Sequence, residues 1–477
     1  MSPSTAIEEF CTVRPAVASL TTRDGRVVLM AWPRTEYLGA LTPAQRDVLR
    51  LLAEEPRRLV DLSADDDVRE LVRTLGRNGW LSTTLYWEGR PLYTIAPFGA
   101  PPERPTSISN TPVLSKFTIM RRHHGDLVLE NPRSWCDIRV HAHPILAMVS
   151  GLLTPSSTEY PPVVVERVLA DLQWSGCLIP GPEVENERLA ERQWSAHELW
   201  FHHRTRLTDR GWTWEGYAGT DWAKGIFAPL PARHDPYPSE PIALFVPDLD
   251  CLRETDIPLT VAIEDRYSCR YFDDAKPMTV DQLAELLYRC VRTRRVIEAE
   301  GREIQSRPYP SGGSMYELEF YPVVRRVDGL ESAMYHYDTV DHVLRKVADV
   351  DSPAVKRLLF AASRTQVDEQ EPQVLIVIAA RVGRLMWRYE QIPYSLILKH
   401  VGTCTQTLYL VATAMGLGAV ALGAGDSVAF TEATGTDDLE ECSVGDFVVG
   451  SSSPRGRELA NRYPRPNAPT APVDRSS

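Results

Sequence analysis

Residues 386–426 read MWRYEQIPYSLILKHVGTCTQTLYLVATAMGLGAVALGAGD, and this stretch decides the fold. Its apolar middle, from about Tyr394 to Met415, has the length and composition of one long helix. The AVALGA segment that follows predicts a strand with glycines near both of its ends. Small residues there would permit close packing against a flat cofactor ring, although each glycine taken singly also fits a helix end or a tight turn.

The neighbouring residues alternate between helix and strand patterns. DQLAELLYRCV, which begins at Asp281, predicts a helix, and LEFYPVV and MYHYD predict strands. VLIVIAA predicts a strand buried on both faces, because it is apolar throughout. These elements predict an α+β domain over residues 245–457, and the Pro-rich residues 458–477 predict a disordered tail.

Two arginines flank a serine in the run RYSCR at residues 266–270. The forked donors of Arg266 and Arg270, together with the hydroxyl of Ser268, suit a phosphate group. A helix is predicted to open shortly afterwards, at Thr279. The alternative interpretation is a pair of surface arginines without a ligand.

The loop Pro310-Ser311-Gly312-Gly313 precedes the predicted strand LEFYPVV. Paired glycines let a backbone approach a flat ligand and direct its N–H groups at acceptors. The loop lies at a strand entrance and carries no lysine, which excludes a phosphate-binding P-loop. An ordinary turn remains the alternative.

Arg388 and Tyr389 stand side by side ahead of the long helix. A neighbouring cation stabilises a phenolate and so equips the phenol to act as a general base. The alternative is a solvated arginine beside a half-buried tyrosine.

Two front segments carry a winged-helix pattern. In residues 1–105, helices predicted at Pro43 and near Asp65 precede a hairpin around Glu88-Gly89. Residues 112–185 repeat this plan with two strands and two helices, and residues 186–244 read as a connector. A winged helix is also a DNA-binding shape, but neither candidate recognition helix is rich in arginine and lysine.

Composition narrows the function further. A chain of 477 residues, 43% hydrophobic and with a net charge of −12, indicates a folded globular protein and argues against nucleic acid as a partner. The absence of a signal peptide and of a long apolar run predicts a cytoplasmic protein without a membrane partner. The eight cysteines form no CxxC pair, and no ligand set with metal spacing occurs, so neither a disulfide framework nor a metal site is predicted.

Taken in order, five blocks resemble the SagB-type branch of the nitroreductase superfamily over residues 260–452. The blocks are RYSCRYF, RPYPSGGSMYELEFYPVV, MYHYD, the stretch quoted first, and SVGDFVVGSS. The branch consists of azoline dehydrogenases that act on ribosomally made peptides. The resemblance implies a nitroreductase-fold domain behind two winged-helix modules of the peptide-clamp kind, with FMN bound between the protomers of a homodimer.

The resemblance also implies residue roles. Arg266, Ser268 and Arg270 would hold the ribityl phosphate, with Arg457 as a further contact. The loop residues Pro310, Ser311, Gly312 and Gly313 would lie against the isoalloxazine ring, and Leu422, Gly423 and Gly425 would line it from the other side. The branch carries a Lys-Tyr catalytic pair where this chain has Arg388-Tyr389. Arginine stays protonated, which leaves Tyr389 as the base, Arg388 as its electrostatic partner and Lys399 as a second candidate base.

The implied activity is oxidation of thiazoline or oxazoline rings in a precursor peptide to thiazole or oxazole. The implied partners are that peptide and a cyclodehydratase. Each front module would hold a leader peptide as an added strand, or would serve only as a structural support. Two other functions stay open: flavin-dependent reduction of a dehydroamino acid or nitro compound, and a non-catalytic peptide-binding scaffold.

Overall fold

The computed structural model describes residues 7–62, 65–123, 125–151, 160–208, 210, 221–390 and 392–461. The chain divides into two compact units, an amino-terminal unit of residues 1–213 and a carboxy-terminal unit of residues 214–477. The aromatic segment WTWEGYAG of the predicted connector lies outside the described residues.

The amino-terminal unit combines short strands with six helices among its described residues. Its strands are β1 Glu8–Val13, β2 Ala18–Thr21, β3 Arg26–Ala31, β4 Arg34–Ala40, β5 Arg57–Arg58, β6 Leu81–Trp87, β7 Arg90–Pro97, β8 Val113–Leu114, β9 Ile119–His123, β10 Asp126–Glu130, β11 Cys136–Val140 and β12 Leu178–Ile179. Its helices are α1 Pro43–Glu54, α2 Asp66–Arg77, α3 His143–Val149, α4 Pro162–Trp174, α5 Leu189–Arg192 and α6 Ala196–Arg204.

The predicted helix starts and hairpin of this unit are confirmed. The Thr42 side chain accepts the backbone N–H of Gln45, and the Gln45 side chain accepts that of Thr42, which caps α1 from both sides. Asp65 caps α2. Strands β6 and β7 pair around the turn Glu88-Gly89, where both residues have positive φ.

One sheet runs through both predicted winged-helix modules. Its seven strands follow the order β5-β1-β6-β7-β11-β10-β9. The junction is the antiparallel pairing of β7 with β11, in which Ile95 lies opposite Ile138. The segments 1–105 and 112–185 therefore share a continuous sheet, and the compact unit extends beyond them through part of the predicted connector.

The carboxy-terminal unit is built around a second seven-stranded sheet. The strands of this unit are β13 Ile242–Ala243, β14 Arg295–Ala299, β15 Arg302–Ser306, β16 Leu318–Val324, β17 Ala333–Asp338, β18 Val343–Asp349, β19 Val374–Arg381, β20 Leu417–Leu422 and β21 Glu441–Ser451. Strands β14 and β15 form a separate two-stranded sheet. The helices of this unit are α7 Leu249–Thr255, α8 Leu259–Asp265, α9 Val280–Val291, α10 Pro353–Ser363, α11 Val382–Met386, α12 Pro393–Ala414, α13 Ser427–Thr434 and α14 Pro454–Asn461.

This sheet has the order β13-β18-β17-β16-β19-β21-β20, and its paired strands are antiparallel. Every residue of β16 and β19 is buried. One face of the sheet packs on α9 and α12, and the other packs on α10 and α13. The predicted buried strand and the predicted long helix are confirmed, the latter as α12 of 22 residues.

The predicted carboxy-terminal boundary at residue 457 falls within α14, which continues to Asn461. Residues 458–461 thus belong to a helix rather than to the predicted tail, and residues 462–477 lie outside the described part of the chain.

Membrane-spanning helices and metal-binding clusters are both absent from the described residues. None of their helices is both long and apolar enough to cross a membrane. Within the same ranges, no group of three or more His, Cys, Asp or Glu side chains is arranged to hold a metal ion.

Candidate active site

The glycine loop, Pro310–Gly313, lies directly against the Arg388-Tyr389 pair. Gly313 has a φ of 60°, in the left-handed region that favours glycine. A Cβ added to Gly313 would lie 2.8 Å from Cγ of Arg388 and 3.4 Å from the Tyr389 hydroxyl. One added to Gly312 would lie 3.4 Å from Cε2 of Tyr389. The structure therefore brings together two motifs that are 75 residues apart in the sequence.

His400 and Glu317 hold this loop in place, and sequence reasoning missed both. The backbone N–H of Gly312 donates to Nε2 of His400 over 2.8 Å, so Nε2 is unprotonated. Nδ1 therefore carries the proton of the neutral ring and donates it to Glu317 Oε1 over 2.6 Å. Glu317 also lies within hydrogen-bonding distance of Ser311, whose Oγ accepts the N–H of Tyr316 at 3.1 Å.

The buried cation Arg384, which sequence reasoning also missed, connects the residues after the glycine loop to Leu230 of the predicted connector. Arg384 donates to the carbonyl of Met315 from Nε at 2.9 Å and from Nη2 at 2.6 Å. Nη1 donates to the carbonyl of Leu230 at 2.8 Å. Burial, with neighbouring arginines as a lesser cause, lowers the pKa of Arg384 to about 10. Arg384 remains a cation at neutral pH and fixes the end of the loop.

The three residues predicted for catalysis lie in different surroundings. Tyr389 is half-buried against the glycine loop. Arg388 is also half-buried, and its Nη1 lies 3.5 Å from Oε2 of Glu300. Because both of those side chains are largely solvated, this ion pair contributes little to stability. Lys399 is exposed on α12, and its side chain forms no hydrogen bond or ion pair within the part of the chain that the structure describes.

Tyr409, a residue that sequence reasoning missed, connects the predicted phosphate segment to β20. Its hydroxyl lies 3.2 Å from Oγ of Ser268 and accepts the backbone N–H of Ala421 at 2.7 Å. The guanidinium of Arg266 stacks on the Tyr409 ring at 5.1 Å. The backbone N–H of Cys269 donates to the carbonyl of Ala419 at 2.9 Å, which fastens the same segment to the strand.

The three arginines predicted to bind phosphate lie within the segment 266–270, near Tyr409 of α12, or next to that segment. Arg266 is half-buried, whereas Arg270 and Arg457 are exposed. The positive charge of Arg457 acts on the Tyr267 and Cys269 side chains, which places it next to the segment. Among the described residues, none of the three guanidiniums forms an ion pair. Cations without carboxylate partners are suited to an anionic ligand.

Leu422, Gly423 and Gly425 follow β20 and lie beside a buried carboxyl group. Leu422 pairs with Asp446 of β21, and a Cβ on Gly425 would collide with the Asp446 carboxylate. Gly423 has open space around its Cβ position. Burial, and then the charge of Asp426, raises the pKa of Asp446 to about 7. A side chain at position 425 would therefore displace the Asp446 carboxylate.

Comparison with known proteins agrees with this architecture. Residues 263–450 match the Nitroreductase family, and residues 112–210 match the family described as Cyanobactin oxidase ThcOx. "Putative nitroreductase MJ1384" of Methanocaldococcus jannaschii is 28% identical over 179 residues, which cover 38% of this chain and 82% of that protein.

Two further matches involve microcin B17 proteins. "Microcin B17-processing protein McbC" of Escherichia coli is 27% identical over 116 residues, or 23% of this chain, and the match spans only 42% of McbC. A chain of the solved E. coli microcin synthetase McbBCD complex with truncated pro-MccB17 bound resembles this one with a TM-score of 0.34 and 18% identity, over 52% of this chain and 100% of that chain.

The fold and the family matches define a flavin-dependent oxidoreductase. The match of residues 263–450 to the Nitroreductase family confirms the predicted fold of the carboxy-terminal domain. The resemblance to the SagB-type branch is confirmed by the ThcOx match and by the likeness to McbC. The winged-helix character of the two front modules stays a prediction.

Proposed function

We propose that this protein is an FMN-dependent azoline dehydrogenase, which oxidises thiazoline or oxazoline rings in a ribosomally made precursor peptide to thiazoles or oxazoles. The observation that carries the proposal is the arrangement along α12. His400 and the glycine loop lie towards one end, and Tyr409 with the Ser268 segment lies nine residues further on. At 1.5 Å per residue these groups are about 13 Å apart, which suits a cofactor with a flat ring and a distant phosphate.

The residues present fit FMN. Arg266, Ser268 and Arg270, with Arg457 beside them, would hold its phosphate, because their charges lack carboxylate partners among the described residues. The glycine loop and the turn at Gly423–Gly425 would lie against its ring. A side chain at Gly313 would collide with Arg388, and one at Gly425 would collide with Asp446, so backbone alone forms both surfaces. When bound, FMN supplies a two-electron oxidant that accepts a hydride.

Aromatisation of an azoline removes two hydrogens from the ring, one as a proton and one as a hydride. Tyr389 would take the acidic proton from the ring Cα, while the hydride leaves from Cβ. Arg388 would stabilise the phenolate form of Tyr389 by its charge, since an arginine stays protonated. His400 and Glu317 would keep the glycine loop in register with Tyr389. Lys399 remains a second candidate base.

The proposal includes a peptide substrate and a cyclodehydratase partner. McbC, to which part of this chain is similar, processes microcin B17, and the solved McbBCD complex contains a truncated pro-peptide. In this chain, β9 is one edge of the first seven-stranded sheet, and β4 is an edge of a separate three-stranded sheet. An extended leader peptide adds to such edges by main-chain hydrogen bonds.

The proposal also includes a homodimer. Apolar side chains are exposed on and around α7, α8 and α12, and the largest are Phe245, Val246, Leu259, Ile263, Tyr394 and Leu398. Large apolar side chains exposed on neighbouring elements are typical of a protein–protein interface. Sedimentation should give twice the chain mass of 53.6 kDa, and Ile263→Lys should shift the protein towards monomer. A monomeric wild-type protein would remove the dimer from the proposal.

One experiment tests the function directly. The flavin of the purified protein should absorb at about 450 nm. Incubation with an azoline-bearing peptide should lower the peptide mass by about 2 Da per ring, because each ring loses two hydrogens. Tyr389→Phe should abolish turnover and retain the flavin. A protein that stays colourless with added FMN would contradict the proposed enzyme and support a non-catalytic peptide-binding scaffold. Unchanged turnover in Tyr389→Phe would show that Tyr389 is not the base.

A second function has a specific observation in its favour. The match to "Putative nitroreductase MJ1384" covers 82% of that protein but only 38% of this chain. NAD(P)H-driven reduction of a nitroarene, together with no mass loss from the azoline peptide, would support reduction of another substrate.

A further inference from the structure

A groove runs from Arg388, the neighbour of Tyr389 in the sequence, along the surface of the carboxy-terminal unit. A cavity of about 760 Å³ and a second of about 510 Å³ adjoin, because Phe227 and Trp387 line both. Arg388 lines the smaller cavity, and its aliphatic stem borders Gly313 of the glycine loop. We call the combined cavities the Trp387 groove. The Trp387 groove is longer than one side chain and begins at Arg388, so it has room for a residue of a bound peptide.

Aromatic and apolar side chains line the larger cavity of the Trp387 groove beside its charged groups, whereas Lys224, Glu300, Arg302 and Arg388 line much of the smaller one. Trp222 is 57% exposed and Phe227 is 60% exposed, although both are large apolar side chains. Leu230 closes one wall against α11, where a Cβ added to Gly383 would lie 2.8 Å from Cδ1 of Leu230. Exposed aromatic rings around a cavity are characteristic of a recognition surface rather than of a core.

The far end of the groove carries three carboxylates that have no ion-pair partner among the described residues. Asp235, Asp437 and Glu440 line the larger cavity. None of the three forms an ion pair with a cation in the portion of the chain that the structure describes. The charge at this end of the groove is therefore negative, next to aromatic walls.

The charged groups at the floor of the same cavity, by contrast, are already paired. His234 lies 3.0 Å from Glu441, and although burial lowers the pKa of His234, the hydrogen bond to Glu441 raises it above the ordinary value. Arg381 donates to the carbonyl of Pro231 at 3.0 Å and lies 3.6 Å from Glu319. The floor cations are thus committed to their own partners, and they leave the rim carboxylates available to a ligand.

We propose that the Trp387 groove binds an arginine side chain of the peptide substrate, with the guanidinium between the aromatic walls and the rim carboxylates. A guanidinium stacks on tryptophan faces and forms paired hydrogen bonds with a carboxylate, which matches both features of the cavity. The assignment rests on the proposed function, because the groove leads to the residues proposed to act on the ring. An arginine subsite in this groove would select peptides that carry a positive charge close to the azoline ring.

Arg384 fixes the geometry that this recognition needs. Its guanidinium donates at once to Leu230, in the groove wall, and to Met315, at the end of the glycine loop. The distance between the arginine subsite and the proposed ring site is therefore set by one buried side chain. A peptide would be accepted only when its arginine and its azoline are separated by the matching length.

The test uses the full-length holoprotein and two fluorescein-labelled azoline peptides that differ at one residue, arginine or citrulline. Citrulline keeps the size of arginine and loses its charge. Anisotropy should show about tenfold weaker binding of the citrulline peptide, and salt should weaken only the arginine peptide. Asp437→Asn with Glu440→Gln should remove the preference for arginine, and Trp222→Leu should reduce it. Asp438→Asn, at an exposed position outside the cavity lining, should leave it unchanged.

Equal affinity for the two peptides, or a preference that survives the double substitution, would overturn the inference. Ring oxidation is measured separately by mass. Oxidation without any arginine preference contradicts the arginine subsite alone, whereas an arginine preference without oxidation contradicts the proposed function and leaves the subsite supported.

Discussion

The imidazole of His400 donates a hydrogen bond from Nδ1 to Oε1 of Glu317 over 2.6 Å, and both side chains are buried. The opposite nitrogen accepts the backbone N–H of Gly312. A carboxylate on one side and a loop amide on the other fix the ring orientation and its tautomer. The position of the glycine loop next to Tyr389 thus depends on a helix residue that has no part in the proposed chemistry.

His400→Ala should weaken FMN binding by roughly five- to thirtyfold, because the loss of a buried hydrogen-bond partner costs about 1–2 kcal/mol. Flavin fluorescence titration measures the dissociation constant. The substitution also leaves Glu317 buried without its donor, so the melting temperature should fall. Adding Glu317→Gln should restore part of the stability but not the flavin affinity. Gln406→Ala, at an exposed position on the same helix, is the control, and an unchanged FMN dissociation constant in His400→Ala would contradict the assigned role.

Tyr409→Phe should weaken FMN binding and leave the fold intact. The substitution removes only the hydroxyl that joins Ser268 to the backbone N–H of Ala421, and the ring under Arg266 stays. We expect a five- to tenfold rise in the dissociation constant, about 1 kcal/mol for one hydrogen-bonding group. Tyr335→Phe is the matched control, since its hydroxyl bonds only the carbonyl of Glu331. Equal effects of the two substitutions would show that Tyr409 has no special connection to the phosphate segment.

Arg384→Met should destabilise the protein by about 3–5 kcal/mol, since the buried carbonyl of Met315 and the partly buried carbonyls of Leu230 and Glu303 would each lose a charged donor. Urea unfolding followed by fluorescence measures the change. Arg364→Met removes a solvated arginine and should change the free energy of unfolding by less than about 0.5 kcal/mol. A small effect at Arg384 would mean that water replaces the guanidinium and that the loop is not anchored there.

Asp446 should make stability depend on pH in a definite direction. Its folded-state pKa is raised from 3.8 to about 7, so between these values the folded chain retains a proton that the unfolded chain has released. Stability therefore falls as pH rises from about 4 to 7 and is level above that. Asp446→Asn removes the buried charge and should raise the free energy of unfolding at pH 8 by ~2–4 kcal/mol, with little change at pH 4.

Thermal melts at the two pH values measure this effect, and Asp438→Asn controls for loss of a surface carboxylate. A gain of the same size at both pH values would contradict the ionisation of Asp446 as its cause.

Much of the carboxy-terminal domain could be predicted, because its elements are marked by local patterns. The run VLIVIAA is apolar at every position and is buried on both faces, and α12 begins and ends within one residue of its predicted bounds. The glycine loop and the Arg388-Tyr389 pair were predicted separately, but their contact depends on β16 and β19 lying side by side, which no local pattern specifies.

The supporting residues were harder to predict for the same reason. His400 shares a buried stripe of α12 with Ile397, Cys404 and Leu408. A polar residue within such a stripe was the available signal. Its partners, Glu317 and Gly312, lie more than 80 residues away, so the signal could not identify them. Arg384 looks in the sequence like one of many arginines, and only its burial reveals its role.

The pairing of β7 with β11 has a consequence for engineering. Since one sheet crosses the linker between the two front segments, neither segment has a complete hydrogen-bonded edge without the other. A truncation after residue 110 would break the sheet at its middle, and we expect both segments to unfold in a single transition. An engineered transfer of this front region to another enzyme should therefore succeed only when both segments move together.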